Sequence, residues 1–427
     1  MLEVADILRL HGPAYRQAYQ LLPSQQKALE DLVRCRTPAL GGQVWQCDRD
    51  DCRYEQYSYH SCGNRHCLKC HGAQTERWLE KQRQHLLACA YYFLTFTLPA
   101  PLRALVYAHQ KVLYGLLLRS ATAALQKLAW DPKYVGGQLA MLAVLHTWRR
   151  DLLDHPHVHV LASAGGLSRD GQQWVHAKNP AFLVPGLALS KIFKGKFKAG
   201  LKKCGWFNEV PAAVWSQKWN LQIQHAGRGQ KVLDYLGRYA FRIAISNSRL
   251  EKFENGQVTF AYRDNKTQQL KHLTLPAQEF IRRFLRHVLP RGFVKVRSYG
   301  LVSSTQKEKL EKARTLLATA QPQGALCADL LPDRALDVAL RLPAAQLCPH
   351  CKIGHLVLVA SLLPQRTEDR KALLHAKRPS APPTRFHTDN ALARLLFNRT
   401  FAVCRRRPQS PGGSLGQRPP SPLVSGV

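Results

Sequence analysis

Six of the chain's twelve cysteines, Cys35, Cys47, Cys52, Cys62, Cys67 and Cys70, fall within a short stretch near the N-terminus. That clustering limits what this stretch can become. Paired thiols a few residues apart either cross-link or hold a metal, and a chain with no charged, apolar, small-residue leader at its start is expected to be cytoplasmic, where metal is favoured over disulfides. Cys47-x4-Cys52 and Cys67-x2-Cys70 read as two knuckles brought around one tetrahedral zinc. Cys35, Cys62, His60, His66 and His71 are further potential ligands, which leaves the exact four open and makes a second ion conceivable. A closed all-cysteine site is structural, so this zinc is expected to hold a small module and leave the chemistry to other residues. Far downstream, Cys348-Pro-His-Cys351 stands without a neighbouring pair, with His350 and His355 as the only nearby residues able to complete a site.

Charge supplies the second constraint. Lys and Arg total 62 against 28 Asp and Glu, a formal +34 spread along the whole chain. Self-repulsion of that size calls for a polyanionic partner, and nucleic acid is the expectation. A ribosomal or membrane-surface protein would share the composition, because composition reports a partner's charge and no chemistry. The longest charge-free run, Leu86 to Leu102, is interrupted by Pro99 and Pro101 and reads as buried core, so no membrane span is expected.

The periodicity suggests helices and strands mixed without a βαβ rhythm, hence an α+β chain with helices flanking a sheet. One or two helices are expected over Leu8 to Leu32, with others over Thr75 to Leu87, Leu102 to Leu128 (one long helix), Lys191 to Lys203, Gln230 to Ile245, Pro276 to Val288 and Thr305 to Leu317. Strands are expected over Ala90 to Pro99, Pro156 to Ala162 (closed by Gly165-Gly166), the pair Val258 to Arg263 and His272 to Leu275, and Val294 to Leu301. Gln138 to His146 is apolar enough to be a buried strand or helix. Four regions follow: 1–88, N-terminal helices and zinc module; 89–302, the catalytic domain; 303–369, carrying the lone cysteine pair; and 370–427. The last has Asp389 as its only acidic residue amid Lys, Arg, Pro and Ser and is expected to be disordered, with Ala391 to Leu396 as a short helical stretch.

Two constellations carry chemistry. In Asp154-His155-Pro156-His157-Val158-His159-Val160, residues two apart on a strand share a face, so His157 and His159 point together while Val158 and Val160 face the core. A histidine pair is a partial metal site, and His146 is the candidate third ligand; His155 shares the face if Pro156 does not turn it away. In Lys231-Val-Leu-Asp-Tyr235-Leu-Gly-Arg-Tyr239-Ala-Phe-Arg242, Tyr235 and Tyr239 stand one turn apart on an expected helix, with Lys231, Arg238 and Arg242 beside them to meet phosphates. Tyrosines on an apolar face ordinarily pack in a core. Beside a metal site in a strongly basic chain, a phenol that attacks a phosphodiester to give a phosphotyrosine link becomes the sharper reading.

At these residues the sequence resembles the two-tyrosine HUH transposases of the rolling-circle insertion sequences, the kind with an N-terminal zinc-binding module. The resemblance rests on His11-Gly-Pro-Ala-Tyr15, Ser61-Cys62-Gly-Asn-Arg-His-Cys67-Leu-Lys-Cys70, Phe96-Thr-Leu-Pro99, His146-Thr-Trp148, His155-Pro-His-Val-His159 with Gly165-Gly-Leu-Ser168, Tyr235-Leu-Gly-Arg-Tyr239 with Ile245-Ser-Asn247, and Lys295-Val-Arg-Ser-Tyr-Gly-Leu301, in family order over about residues 8 to 302. It implies an antiparallel nuclease sheet flanked by helices, single-strand nicking at element ends, 5′-phosphotyrosine intermediates and a need for Mg²⁺ or Mn²⁺. Carried over, His157 and His159 are metal ligands, Tyr235 and Tyr239 the nucleophiles, the first cysteine cluster the zinc site, and single-stranded element ends and target DNA the partners. Two departures stand out: Arg149-Arg150 occupies the place of an expected Gly-Gln pair, and Cys47-x4-Cys52 is wider than the usual two-residue gap. The rival readings are a zinc-containing DNA-binding protein without activity, such as a decayed transposase, and a metal-dependent hydrolase that uses His157, His159 and water. Replication initiators and relaxases share the tyrosine chemistry, and the zinc module is what points to transposition.

Overall fold

The computed structural model describes residues 2–179, 182–229, 231–232, 234, 236–237, 242–264, 267–319 and 346–365, the side chains of 71, 73 and 74 excepted. Its strands are β1 (Gly42–Cys47), β2 (Glu55–Tyr59), β3 (Tyr91–Thr97), β4 (Gln138–Trp148), β5 (Asp154–Leu167), β6 (Trp174–His176), β7 (Leu221–Gly227), β8 (Leu250–Glu254), β9 (Gln257–Arg263), β10 (Leu270–Pro276), β11 (Val296–Gly300) and β12 (Leu356–Leu362). They form three sheets: β12-β1-β2, β10-β9-β8, and a central sheet ordered β11-β4-β5-β3-β7 with β6 on β5. Among the described residues every strand pairing is antiparallel, as the family resemblance implies.

The central sheet is covered on both faces, which is why its middle strands read as nearly continuous apolar runs. Leu94, Phe96, Ala143, Leu145, Val158 and Val160 face one way. They pack against Leu113, Leu117, Ala121 and Leu125 of the helix Gln110–Ala129 and against Phe193, Phe197 and Leu201 of the helix Gly186–Lys203. On the opposite face Tyr91, Ala140, Leu142 and Leu161 meet Leu310, Ala313 and Leu317 of the helix Lys307–Thr319, together with Val232 and Leu236. A separate core joins the N-terminal helices Val4–Ala18 and Pro23–Arg34 to the helix Ala277–Arg286 and the sheet β10-β9-β8.

The structure corrects several expectations in detail. The helix expected over Leu102 to Leu128 is broken at His109 into Arg103–Ala108 and Gln110–Ala129. Gly165-Gly166 do not close β5, which runs through them to Leu167 while they pair with β6. Their lack of a side chain is required there, because a Cβ on Gly166 would lie 2.7 Å from the Gln138 carbonyl oxygen of the adjacent strand. The helix expected over Gln230 to Ile245 has helical residues at 231, 232, 234, 236 and 237, but Arg242 to Ser246 are not helical. The sequence expectations miss β7, although Leu221-Gln-Ile223-Gln alternates apolar and polar residues, and they miss β8, where charged residues flank Leu250 and Phe253. The expected disordered tail, 370–427, lies outside the described residues.

Candidate metal and nucleophile site

The ladder between β4 and β5 sets His146 opposite His157 and Val144 opposite His159. Directly opposite residues of an antiparallel pair share a face, so three imidazoles converge on one side of the two central strands. Their ligand nitrogens all lie within 4.8 Å of one another, and His146 and His159 are buried. This face is the one covered by Val232 and Leu236, both buried. Those two residues stand at helical i, i+4 spacing and pack into the apolar cluster on that face of the sheet.

Each ring is oriented by a neighbour. The Nδ1 of His157 lies 2.6 Å from the His155 carbonyl oxygen, so Nδ1–H donates and Nε2 is left for a cation. The Nδ1 of His159 is 3.1 Å from Thr95 Oγ1, the residue opposite it on β3, and the His159 ring stacks on Phe93 at 4.9 Å. Trp148 stacks on His146 at 4.7 Å. Burial holds His157 down at about 4 and His159 well below its ordinary value, with further lowering by Arg242 and Lys295. Both are therefore neutral near pH 7, the form in which an imidazole binds metal. His155 stays out of the group: its ring meets Arg103 Nη2 at 3.3 Å, and burial pushes it to about 3. The arginines in place of the Gly-Gln pair are also elsewhere, Arg149 bound to Asp151 and Arg150 donating to the Arg263 carbonyl at the β4–β5 turn. That turn is braced by buried His287, which bonds Thr147 Oγ1 at 3.2 Å and the Leu152 carbonyl oxygen at 2.9 Å.

Lys295 is a site residue that sequence reasoning left within a motif and gave no role. Its ammonium lies 5.1 Å over the Trp148 ring and donates to the Arg242 carbonyl at 2.7 Å, and burial lowers it to about 7. Arg242 is exposed, as is Lys231. Tyr235, Arg238 and Tyr239 lie outside the described residues.

Eight of the twelve cysteines fall into two sets of four, not the single site framed by Cys47, Cys52, Cys67 and Cys70. Cys35, Cys62, Cys67 and Cys70 form one, with all sulfurs within 4.8 Å and Cys35 and Cys62 at 3.4 and 3.7 Å from Cys70. Cys47 and Cys52 belong to the other, with Cys348 and Cys351, so the downstream pair is not lone. The linear distance of about 300 residues concealed this pairing. The alternative ligands stand apart: His66 accepts from the Leu289 amide at 3.2 Å, and His60 is exposed. The His71 side chain lies outside the described residues.

The chain is similar to known proteins over most of its length. A family model described as "Transposase zinc-binding domain" matches residues 7–98, and one described as "Putative transposase" matches residues 140–309. The chain is 36% identical over 381 residues to "Putative transposase y4qJ" of Sinorhizobium fredii, covering 84% of this chain and 94% of that one. It is 27% identical over 288 residues to the "Transposase for insertion sequence element IS801" of Pseudomonas savastanoi pv. phaseolicola, covering 64% of this chain and 69% of that one. No solved structure matches it. The matched zinc-binding domain and the thiol clusters together support structural zinc. With both family models in order along the chain and a relative of this identity matched over most of its length, the chain belongs to the two-tyrosine rolling-circle transposases of bacterial insertion sequences that carry an N-terminal zinc-binding module.

Proposed function

We propose that this chain nicks single-stranded DNA at the ends of a mobile element, using Tyr235 and Tyr239 as nucleophiles and a Mg²⁺ or Mn²⁺ ion held by His146, His157 and His159. The observation that carries the reading is the histidine trio on the two central strands, on the sheet face against which Val232 and Leu236 of the tyrosine-bearing segment pack. The phenolic oxygen would attack the phosphorus as its proton leaves. The bond to the 3′ oxygen would break, giving a 5′-phosphotyrosine link and a free 3′-hydroxyl. The cation's part is to polarise the phosphate and offset its developing negative charge.

Basic surroundings support a DNA partner. Arg65, Arg242 and Lys295 line a cavity of about 530 Å³ together with Trp78 and Trp148. A larger cleft of about 1160 Å³ is lined by Lys111, Arg119, Arg297, Lys307 and Arg314, a cation set suited to a phosphate backbone. Among the described residues, no helix is long and apolar enough to cross a membrane.

The test is a denaturing gel of the protein incubated with labelled single-stranded DNA from its own element end and Mg²⁺ or Mn²⁺. The expected result is a protein-linked band that is lost in the double variant Tyr235→Phe, Tyr239→Phe. Cleavage with no linked band would overturn the tyrosine mechanism in favour of hydrolysis by water, and binding with no cleavage would leave a DNA-binding protein without activity.

A further inference from the structure

Cys348 and Cys351 lie beyond both matched segments, 7–98 and 140–309, yet meet Cys47 and Cys52 inside the first of them. We propose that these four thiolates hold a second zinc ion, and that this ion staples the returning strand β12 onto the N-terminal zinc module, making the module from two distant segments of the chain. The inference does not depend on the DNA chemistry proposed above.

The sulfur positions suit the ion. Cys47 Sγ lies 3.7 Å from Cys351 Sγ and Cys52 Sγ lies 3.8 Å from Cys348 Sγ, with all four sulfurs within 4.8 Å. A tetrahedron with Zn–S bonds of about 2.3 Å has edges of about 3.8 Å. The backbone is shaped to match. The residue after the second cysteine of each pair, Arg53 at φ 46° and Lys352 at φ 58°, is left-handed, a conformation uncommon for a residue with a side chain. The resulting turns direct amides at the sulfurs, Tyr54 at Cys52 and both Ile353 and Gly354 at Cys351. The other cysteine set repeats the device, with Arg36 at φ 54° after Cys35 and Gly63 at φ 63° after Cys62. Amide donors satisfy thiolates, and four thiolates packed together need a charge-neutralising cation at their centre.

Two further observations support a staple. A Cβ at position 354 would lie 2.6 Å from both Cys47 Sγ and Asp48 Oδ1, so Gly354 lets the two knuckles approach. The sheet β12-β1-β2 also has little else to hold it: among the described residues its cluster buries Cys47, Cys348 and Leu356, with Trp45 and Tyr54 half-buried against them, and its strands add Val44 as a further buried apolar side chain, while Val357, Leu358 and Val359 are 44%, 48% and 49% exposed. Three short strands with so small an apolar core are marginal without a cross-link or a metal.

Elemental analysis of the full chain by inductively coupled plasma mass spectrometry is expected to give two zinc ions per chain, and Cys348→Ser with Cys351→Ser to give one. In that variant N-ethylmaleimide should modify Cys47 and Cys52 and spare Cys35, Cys62, Cys67 and Cys70. In the wild type, peptide mapping after graded chelation should show Cys47, Cys52, Cys348 and Cys351 becoming reactive together, a result that stands by itself should the variant fail to fold. One zinc in the wild type, two in the variant, iron in place of zinc, disulfides among the four, or Cys348 and Cys351 reacting while Cys47 and Cys52 stay protected would each overturn the proposal.

Discussion

His146 and His157 are direct partners across the β4–β5 ladder, so a residue eleven positions upstream meets the His-Val-His strand without any loop to position it. Ligands carried on the two central strands of a covered sheet are held in place by the packing on the opposite face, where Leu145 and Val158 are nearly fully buried. Replacing His157 and His159 together by Ala is expected to abolish Mn²⁺ binding measured by calorimetry and to lower cleavage by at least about 100-fold, with DNA affinity retained. Unchanged cleavage would remove them as ligands, and His146→Ala tests the third position in the same way.

Thr95 orients one of these ligands from the other side, its hydroxyl 3.1 Å from His159 Nδ1. Thr95→Val keeps the shape and removes the hydrogen bond. Metal affinity should fall by about 10-fold, the usual scale for a partner that positions a ligand, while the thermal midpoint changes little. An unaltered affinity in the same titration would show that the hydroxyl plays no orienting part.

The buried histidines give the protein an acid limit. His155 is held at about 3 in the folded chain by burial, against an ordinary value near 6.5. Between those values the unfolded chain binds the proton and the folded chain does not, so this stabilisation is complete above about pH 6.5 and is lost as the pH falls toward 3. His155→Gln should remove that dependence. The stability difference between wild type and variant is expected to shift by about 2 kcal/mol, against the wild type, between pH 6.5 and 4.5 in denaturant titrations. Parallel curves for the two proteins would show that His155 protonates freely when folded.

Gly300 ends β11 with φ 61°, and a Cβ there would sit 1.9 Å from the Leu139 carbonyl oxygen. Gly300→Ala combines a left-handed backbone with a clash against the neighbouring strand, and the cost should be about 3 kcal/mol or more. A variant with the wild-type denaturant midpoint would refute this account of the edge strand.

Much of the site was legible from the chain alone because it is local. Period-two spacing places His157 and His159 on one face wherever that strand lies and whatever it packs against. The positive charge, the α+β class and the presence of clustered thiols are likewise properties of residue type and spacing. The tertiary structure alone decided which residues meet across the chain. It brought His146 to His157 through strand register, brought Lys295 over Trp148, and parted the N-terminal cysteines into two sets by returning Cys348 and Cys351 to Cys47 and Cys52. The reason is physical: local spacing fixes the direction of a side chain, whereas a partner some 300 residues away is selected by the packing of whole strands and by metal-sized geometry, and neither leaves a periodic trace in sequence.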